Sequence, residues 1–311
     1  MHHPPALRAC QTVPLRISVV VRSYNRADYL SQALDSVLGQ TRPPDQIVVA
    51  DDGSTDATPE VLARYAGSIE VVRLAHTGNP PAVLNAGLRA ARGDLVALLD
   101  SDDVWLPEKL ERQLELFLSD ERVGFVYGNL CLLDAAGGRS APVLRQDQVV
   151  NGCLLRTLVR DMCVHPSTLV VRHAWLAPLD EAERVNEDFF LLLRLARVTR
   201  AACVAEPVAL IRRHAGMLSA AHGLAAYTAA IRALEGLLRE PGLPRSVGLE
   251  ARRSIGRFHA HLARQLVLQH ELASARRHAL AALRNHPLHP PAWRWALAAL
   301  ATRASGGLPS A

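Results

Sequence analysis

The chain has 311 residues, of which 49% are hydrophobic and 21% charged, and its formal net charge is +5. This length can bury one large core or two modest ones, and the composition is that of an ordinary globular protein. It contains no Lys/Arg run of the length found in nucleic-acid-binding tails. We therefore expect no nucleic-acid partner, and consider phosphate-bearing small molecules or an anionic membrane surface instead.

Cysteine usage and the start of the chain bear on the cellular compartment. The five cysteines are odd in number and show no CxxC spacing, which predicts reduced thiols rather than disulfides or a zinc site. The first ten residues lack the apolar centre of a signal peptide, and no stretch approaches the ~20 apolar residues that span a bilayer. We expect a cytoplasmic protein with peripheral contact, at most, with the inner face of the membrane.

Strands and helices alternate through the first 105 residues, after an arm at 1–15. Short apolar or β-branched runs predict the strands, and 3.6-residue spacing predicts the helices. The alternation predicts an α/β fold with a parallel, doubly wound sheet, and the absence of G-x-G-x-x-G after the first strand disfavours a dinucleotide-binding Rossmann enzyme. The predicted strands cover 16–22, 46–50, 69–74 and 95–99, and the predicted helices 29–38 and 81–92, with another helix after the loop at 51–56.

The strand at 95–99 ends in an acidic cluster formed by Asp100, Asp102 and Asp103. Three carboxylates in four residues repel one another unless a cation lies among them. Hard oxygen ligands at the C-terminal end of a strand suit Mg²⁺ or Mn²⁺ shared with substrate phosphates. The alternative is that these acids cap a helix that opens at Pro107.

A second acidic loop, at Asp51 and Asp52, follows the second strand. We expect both loops at the C-terminal ends of neighbouring parallel strands, and therefore in one cleft. Such a cleft fits a nucleotide and a metal ion, with one acid for the base or ribose and the other for the ion on a diphosphate.

Four short motifs lie at the ends of these predicted elements. They read S-Y-N-R at 23–26, D-D-G-S-T-D at 51–56, N-A-G at 85–87 followed by A-R-G-D at 91–94, and L-D-S-D-D-V-W at 99–105. In order and spacing they resemble the motifs of family 2 glycosyltransferases, which are inverting enzymes of the GT-A fold. The resemblance covers roughly residues 15–220 and implies a Rossmann-like, mostly parallel sheet flanked by helices. Arg22 and Leu84 depart from the family pattern, which leaves the nucleotide open.

The resemblance also implies roles on the donor side. Tyr24 and Asp52 would contact the base of a nucleotide-sugar, with Asp51 beside them. Asp102 would bind the metal, and Asp100 would hold the sugar–ribose side. The remaining donor contacts expected in this half are Ser23, Asn25 and Asn85.

Glu187 and Asp188 open an apolar helix that we predict over 191–198. An acidic pair in a first helical turn complements the helix dipole, but here it also resembles the family's E-D pair that supplies the catalytic base. An inverting transfer needs one carboxylate on the acceptor side to take the proton of the nucleophilic hydroxyl. We predict Asp188 as the base and Glu187 as a residue that orients neighbouring groups.

A basic loop follows the last predicted strand of this region, 206–211. Arg212, His214 and Ser219 resemble the family's R-x-H-x-x-x-x-S loop, and a guanidinium, an imidazole and a hydroxyl suit a diphosphate and its metal. Gly216 would let the loop move over the donor. The alternative is a basic surface turn. The implied metal ligands are Asp102, Asp100 and His214.

The rest of the acceptor half gives weaker signals. We predict a helix over 108–118, strands over 123–133 and 169–171, and a turn at 135–138. His165 and Ser167 precede the second of these strands and are assigned weakly to the acceptor side by the resemblance, although a lone histidine is more often structural.

Residues 221–311 have helical spacing throughout, with arginine-rich opposite faces. We interpret this region as a helical appendage packed on the catalytic domain, or as a dimer or partner surface. Trp293 and Trp295 could anchor at a membrane interface, but plain core or interface packing is the simpler interpretation. The expected domains are therefore a GT-A domain at 16–220, with a nucleotide-binding half at 16–105 and an acceptor half at 106–220, and the helical region.

Taken together, the sequence predicts a metal-dependent inverting glycosyltransferase that uses Mg²⁺ or Mn²⁺ and a nucleotide-sugar, most simply a UDP-sugar. The acceptor would be a hydroxyl of a glycan, a lipid-linked sugar or another glycoconjugate. A catalytically inactive scaffold that acts through the helical tail, and a sugar nucleotidyltransferase, are the alternatives. A sugar nucleotidyltransferase would need a Gly-rich loop with Arg or Lys at the position of residues 23–26.

Overall fold

A computed structural model describes residues 14–214 and 218–301 of the chain. Most of the arm at 1–15 and the predicted hinge Gly216 therefore lie outside the described residues. The strands are β1 (Ile17–Ser23), β2 (Gln46–Asp51), β3 (Glu70–Arg73), β4 (Leu95–Asp100), β5 (Val104–Trp105), β6 (Val123–Leu133), β7 (Val170–Arg172) and β8 (Arg200–Arg212). The helices are α1 (Ala27–Leu38), α2 (Thr58–Arg64), α3 (Pro80–Ala90), α4 (Lys109–Ser119), α5 (Leu155–Asp161), α6 (Glu187–Val198), α7 (Leu218–Arg239), α8 (Arg245–Leu268), α9 (Leu272–Asn285) and α10 (Pro290–Ala301).

The strands form one mixed sheet in the order β3-β2-β1-β4-β7-β6-β8-β5. The first four are parallel, and β1 pairs on one side with β2 and on the other with β4. β1 is buried on both faces, as its unbroken β-branched run predicts. The acidic loops after β2 and β4 were expected on neighbouring strands; that was wrong, because β1 lies between them. Both loops still open at the same edge of the sheet, on either side of the end of β1.

The second half of the sheet departs from a parallel arrangement. β7 runs antiparallel to both β4 and β6, and β5 runs antiparallel to the end of β8. The two-residue strand β5, which the sequence did not reveal, holds the acidic cluster against β8. The helix-capping alternative fails here, since β5 follows the cluster and α4 begins only at Lys109.

Hydrophobic residues fill both faces of the sheet. In β1, Val19 and Val21 pack on one face with α1, α2 and α4, while Val20 packs on the other with α3, α5 and α6. This alternation is the period-two geometry of a strand. The sheet is therefore the middle layer of three, which is the α/β arrangement predicted from the sequence.

The C-terminal helices pack on the same core. Val247 and Ile255 of α8 belong to the large cluster that contains α5 and α6, and Ser254 donates a hydrogen bond to the Val159 carbonyl at 2.7 Å. Trp295 packs against α8 and α9, whereas Trp293 is 52% exposed. The expectation of a helical region packed on the sheet domain is confirmed. Within the described residues, no helix has both the length and the apolar character needed to cross a bilayer.

Candidate active site

A cleft of about 440 Å³ opens at the edge of the sheet where β1, β2 and β4 end. Its size is that of a small-molecule site. One wall is formed by the β1 and β2 loops, the floor by the β4 loop, and the opposite wall by the N-terminus of α6 with α7. The predicted site residues that line it are Ser23, Tyr24, Asp52, Asp100, Asp102, His165, Glu187, Asp188 and Arg212.

The wall formed by the β1 and β2 loops combines an aromatic stack with a carboxylate. The Tyr24 ring, 39% exposed, stacks on the His76 ring with centroids 4.1 Å apart and an angle of 15°. Asp52 accepts hydrogen bonds from the Thr77 amide at 2.9 Å and hydroxyl at 2.7 Å, and from the Gly78 amide at 3.0 Å. These bonds fix the loop 76–78 against the β2 loop, so that a flat polar surface faces the cleft.

Gly53 makes this close approach possible. Its φ is +71°, and a Cβ at this position would lie 2.7 Å from the His76 amide nitrogen. A residue with a side chain would therefore be strained and would push away the loop that carries His76. The glycine of the D-D-G motif thus sets the shape of the wall formed by the β1 and β2 loops.

Ser23 supplies a polar group with no protein partner. It is 3% exposed, lies at the end of β1 and lines the cleft, and its Oγ has no hydrogen bond to any described residue. Buried hydroxyls are normally satisfied. The simplest physical account is that a ligand in the cleft completes its hydrogen bonding.

The β4 loop brings Asp102 to the basic loop after β8. The Asp102 carboxylate lies 2.9 Å from His214 Nε2 and 3.6 Å from Arg26 Nε. The Arg212 guanidinium donates to the Asp102 carbonyl at 2.9 Å and lies over the Tyr29 ring at 4.8 Å. The sequence-predicted pair Asp102 and His214 is therefore in contact, with two guanidinium groups close by.

Asp103 has a different environment from Asp102. It is buried, and it accepts hydrogen bonds from Ser167 Oγ at 2.5 Å and from the Arg212 amide at 3.0 Å. Burial and the neighbouring Asp100 and Asp102 raise the pKa of Asp103 well above its usual value. Asp103 thus attaches the β4 loop to β8 and to the segment at 165–168, and each of its two carboxylate oxygens already accepts one hydrogen bond.

His165 lies beside the acids as a neutral imidazole. One ligand atom each from Asp100, Asp103 and His165 lie within 4.8 Å of one another. His165 Nδ1 accepts from the Ser167 amide at 3.3 Å, and burial lowers the pKa of His165 despite the surrounding carboxylates. The other ring nitrogen remains for a ligand or an ion.

Arg22 joins two of the predicted acids. Its Nη2 and Nε donate to Asp100 Oδ1 at 2.6 and 3.2 Å, and its Nη1 donates to Glu187 Oε1 at 2.5 Å. Burial alone would lower the pKa of Arg22, but Asp100 and Glu187 outweigh it and raise that pKa. Burial alone would also raise the pKa of Asp100, which the charge of Arg22 instead lowers. The Asp100 and Glu187 carboxylates are thus both paired with the Arg22 guanidinium.

Among the residues that the structure describes, none forms a salt bridge with Asp188. It stands in the first turn of α6, lines the cleft, and accepts a hydrogen bond from the Phe189 amide at 2.8 Å. Burial, followed by the charge of Glu187, raises the pKa of Asp188 to about 6. A carboxylate with such a pKa in a cleft is suited to accept a proton near neutral pH.

Besides His214, four of the predicted site residues have structural contacts and do not line the cleft. Asn25 accepts from the Thr55 amide at 2.8 Å, Asp51 accepts from the Ser54 amide at 3.3 Å, and Asn85 exchanges hydrogen bonds with the Leu179 backbone. Ser167 is used by Asp103, as described above. These side chains hold the walls of the cleft in place. The side chain of Ser219 lies outside the described part of the chain.

The structure adds cleft residues that the motifs did not indicate. His76 comes from the loop after β3, Arg184 and Asn186 precede α6, and Ala226 comes from α7. Asn186 has a φ of +58° and donates from Nδ2 to the Ala226 carbonyl at 2.7 Å. No local pattern marks these residues, because only the tertiary fold brings them to the cleft.

The family comparison matches the part of the chain that contains the loops after β1, β2 and β4. The model of glycosyl transferase family 2 matches residues 18–131. A putative teichuronic acid biosynthesis glycosyltransferase, TuaG of Bacillus subtilis, is 37% identical over 124 residues, which are 39% of this chain and 49% of that protein. The chain spans 32% to 49% of the length of the first curated relatives it matches.

Solved structures match nearly the whole chain. S. aureus TarS in complex with UDP-GlcNAc aligns with a TM-score of 0.70 and 18% identity, covering 94% of this chain and 92% of that one. The mannosyltransferase PcManGT from Pyrobaculum calidifontis, in complex with GDP-Man and Mn²⁺, aligns with a TM-score of 0.60 and 19% identity, covering 95% and 82%. At these identities the structural likeness establishes the fold. The chain therefore has a GT-A fold, and its residues 18–131 match the model of glycosyl transferase family 2.

Proposed function

We propose that the protein is a metal-dependent inverting glycosyltransferase that moves a sugar from a UDP-sugar to an acceptor hydroxyl. One observation carries this proposal: Asp188, an acid whose pKa is raised to about 6, faces the donor-side groups Tyr24, Asp52 and Asp102 across a single cleft. A donor on one wall and a base on the other is the arrangement that a direct displacement needs. The product would enter polysaccharide, glycolipid or glycoconjugate biosynthesis, as the name of TuaG indicates for that relative.

The reaction follows from these positions. Asp188 takes the proton of the acceptor hydroxyl, and the hydroxyl oxygen forms a bond to the anomeric carbon. The bond from that carbon to the diphosphate oxygen breaks on the opposite side, which inverts the configuration. The guanidinium groups of Arg26 and Arg212, both close to Asp102, would stabilise the negative charge that develops on the departing diphosphate.

The donor set beside this position fits a divalent cation. Asp102 offers a hard carboxylate oxygen and His214 an imidazole nitrogen, 2.9 Å apart, and both types ligate Mn²⁺, while Mg²⁺ prefers the oxygen. Asp103 fits poorly, because its oxygens accept bonds from Ser167 and Arg212. A bound Mg²⁺ or Mn²⁺ would stabilise negative charge on the diphosphate. The Mn²⁺ complex of PcManGT supports the use of a divalent ion.

The stacked pair Tyr24 and His76 suits a flat base, and Asp52 lies beside it to accept from base or ribose donors. Support for uridine as that base comes from TarS, whose structures contain UDP-GlcNAc and UDP. Ser23 Oγ offers a further hydrogen bond to the donor. Single additions are expected rather than polymer synthesis.

The helical region gives a place for the acceptor or a partner. Residues 245–301 contain nine arginines and two glutamates, and so carry a formal charge of +7. Leu280, Leu288, Trp293 and Leu297 are exposed in the same region. Positive charge with exposed apolar side chains suits an anionic membrane surface. Such a surface would hold lipid-linked acceptors at the inner face of the membrane. The alternative is that this region binds a second copy of the chain.

Calorimetric binding of UDP, GDP, CDP and dTDP, each with Mn²⁺ and again with EDTA, tests the donor assignment. We expect one nucleotide, UDP, to bind in Mn²⁺ only, and the Asp102→Ala variant to lose this binding while it keeps its melting temperature. Equal binding of UDP in EDTA would overturn the metal dependence. Absence of binding for all four nucleotides would overturn the donor site and favour the scaffold interpretation.

A further inference from the structure

Arg22 occupies a position between the two walls of the cleft. Its side chain is 18% exposed, and its guanidinium donates to Asp100 on the floor and to Glu187 at the start of α6. Asp100 is its register partner on the neighbouring strand β4, whereas Glu187 is 165 residues away in sequence. One side chain thus joins the donor half of the domain to the helix that carries Asp188.

The geometry of these bonds argues against a direct role in donor binding. Three of the guanidinium nitrogens already donate to carboxylates at 2.5, 2.6 and 3.2 Å. A planar guanidinium held by two carboxylates is rigid, and removing it would leave two partly buried carboxylates without this partner. Three of the five N–H donors of Arg22 are thereby occupied, so a diphosphate could accept from only the two that remain unless it broke one of these pairs.

We propose that Arg22 is a positioning residue that ties Asp100 to Glu187 and so sets the distance between the donor and the catalytic base. With Glu187 held by Arg22, its carboxylate is kept from the acceptor hydroxyl, and Asp188, the next residue, is the free acid of the pair. The role rests on the proposed function, since it concerns the same cleft. It gives a physical reason for an arginine at the position where the sequence departs from the family pattern.

Kinetics of Arg22→Met and Arg22→Lys test this role, with Arg122→Met as a control. Arg122 pairs with Asp120 at the opposite edge of the sheet. We expect Arg22→Met to lower kcat about 100-fold, because small displacements of reacting groups cost that much, while KM for the donor changes by less than about threefold. Arg22→Lys restores part of kcat, since one cation can still hold one carboxylate. A rise in donor KM with kcat unchanged would overturn the proposal and make Arg22 a donor contact.

A double-mutant cycle with Glu187→Gln tests the link without relying on activity. Denaturant unfolding of the wild type, Arg22→Met, Glu187→Gln and the double variant, without substrate, gives the coupling between the two residues. We expect Arg22→Met to destabilise the protein clearly less in the Glu187→Gln background. Additive effects would overturn the link between Arg22 and Glu187. If this coupling is found but the wild type transfers no sugar, the proposed function fails and the structural link stands.

Discussion

We expect the Asp188→Asn variant to be more stable but less active than the wild type. The folded protein raises the pKa of Asp188 from about 4 to about 6, so the folded state favours the protonated form. The stability gained from protonation is fully present below the unfolded pKa near 4 and is lost as pH rises through about 6. Two pKa units correspond to about 3 kcal/mol. At pH 7 the ionised Asp188 therefore destabilises the protein by up to about this amount.

In the Asp188→Asn variant the side chain at position 188 carries no charge at any pH, so it has no ionised form to destabilise the folded state and no base to accept a proton. At pH 7.5 it should be more stable than the wild type by up to about 3 kcal/mol, and the difference should shrink towards zero as pH falls to about 4. Transfer should fall by about 10²–10⁴-fold, because the base is lost. In the wild type, kcat/KM should rise with pH and level off above about 6.

Denaturant unfolding across pH 4–8 measures the first effect, and nucleotide release in the presence of an acceptor extract measures the second. Asp120→Asn is the matched control, since Asp120 pairs with Arg122 at the surface and its pKa is lowered to about 2. The control should keep its activity and gain no stability at pH 7.5. If the stability difference between Asp188→Asn and the wild type is no larger at pH 7.5 than at pH 4, the burial argument is refuted. If Asp188→Asn keeps full activity, the role of Asp188 as the base is refuted.

Three further predictions concern the cleft wall formed by the β1 and β2 loops and the hydrophobic core. Tyr24→Ala should weaken UDP binding about tenfold by calorimetry, because the stacking surface is lost; unchanged affinity would place the base elsewhere. Gly53→Ala should lower both the melting temperature and UDP affinity, since its Cβ would meet the His76 amide, whereas Gly137→Ala, with open space around it, should leave UDP affinity unchanged. Lys109 is buried and its pKa is lowered well below the usual value by that burial, so Lys109→Met should raise the melting temperature; a lower one would show that its bond to Gln113 outweighs the cost of burial.

The sheet could be predicted from the sequence because its strands are short apolar runs that end in polar turns. The prediction of a strand over 123–133 coincides with β6, and that of a strand over 46–50 differs from β2 by a single residue. β5 was missed because two residues are too few to show any period. The prediction of a strand over 206–211 missed the first part of β8. Glu206 and Pro207 interrupt the apolar run of this strand, at a bulge opposite Asn129.

The site was predicted less completely, because a motif gives residue types and not their contacts. Asp51 and Asp52 are adjacent in sequence, yet Asp52 lines the cleft while Asp51 accepts bonds from Ser54 in its own loop. Adjacent residues at the end of a strand point to opposite sides, which assigns them different tasks. The network of Arg22, Asp100 and Glu187 could not be predicted, because it joins strand and helix ends that only the folded sheet brings together.

Product stereochemistry tests the central claim, an inverting transfer from a nucleotide-sugar, without knowledge of the acceptor. Water can replace the acceptor slowly, so the protein is incubated with UDP-GlcNAc or UDP-glucose and Mn²⁺, and the anomeric proton of the released sugar is followed by NMR before mutarotation. The account predicts that the β-anomer appears first from these α-linked donors and that Asp188→Asn abolishes its release. Initial release of the α-anomer would contradict the inverting mechanism and the role of Asp188 as its base.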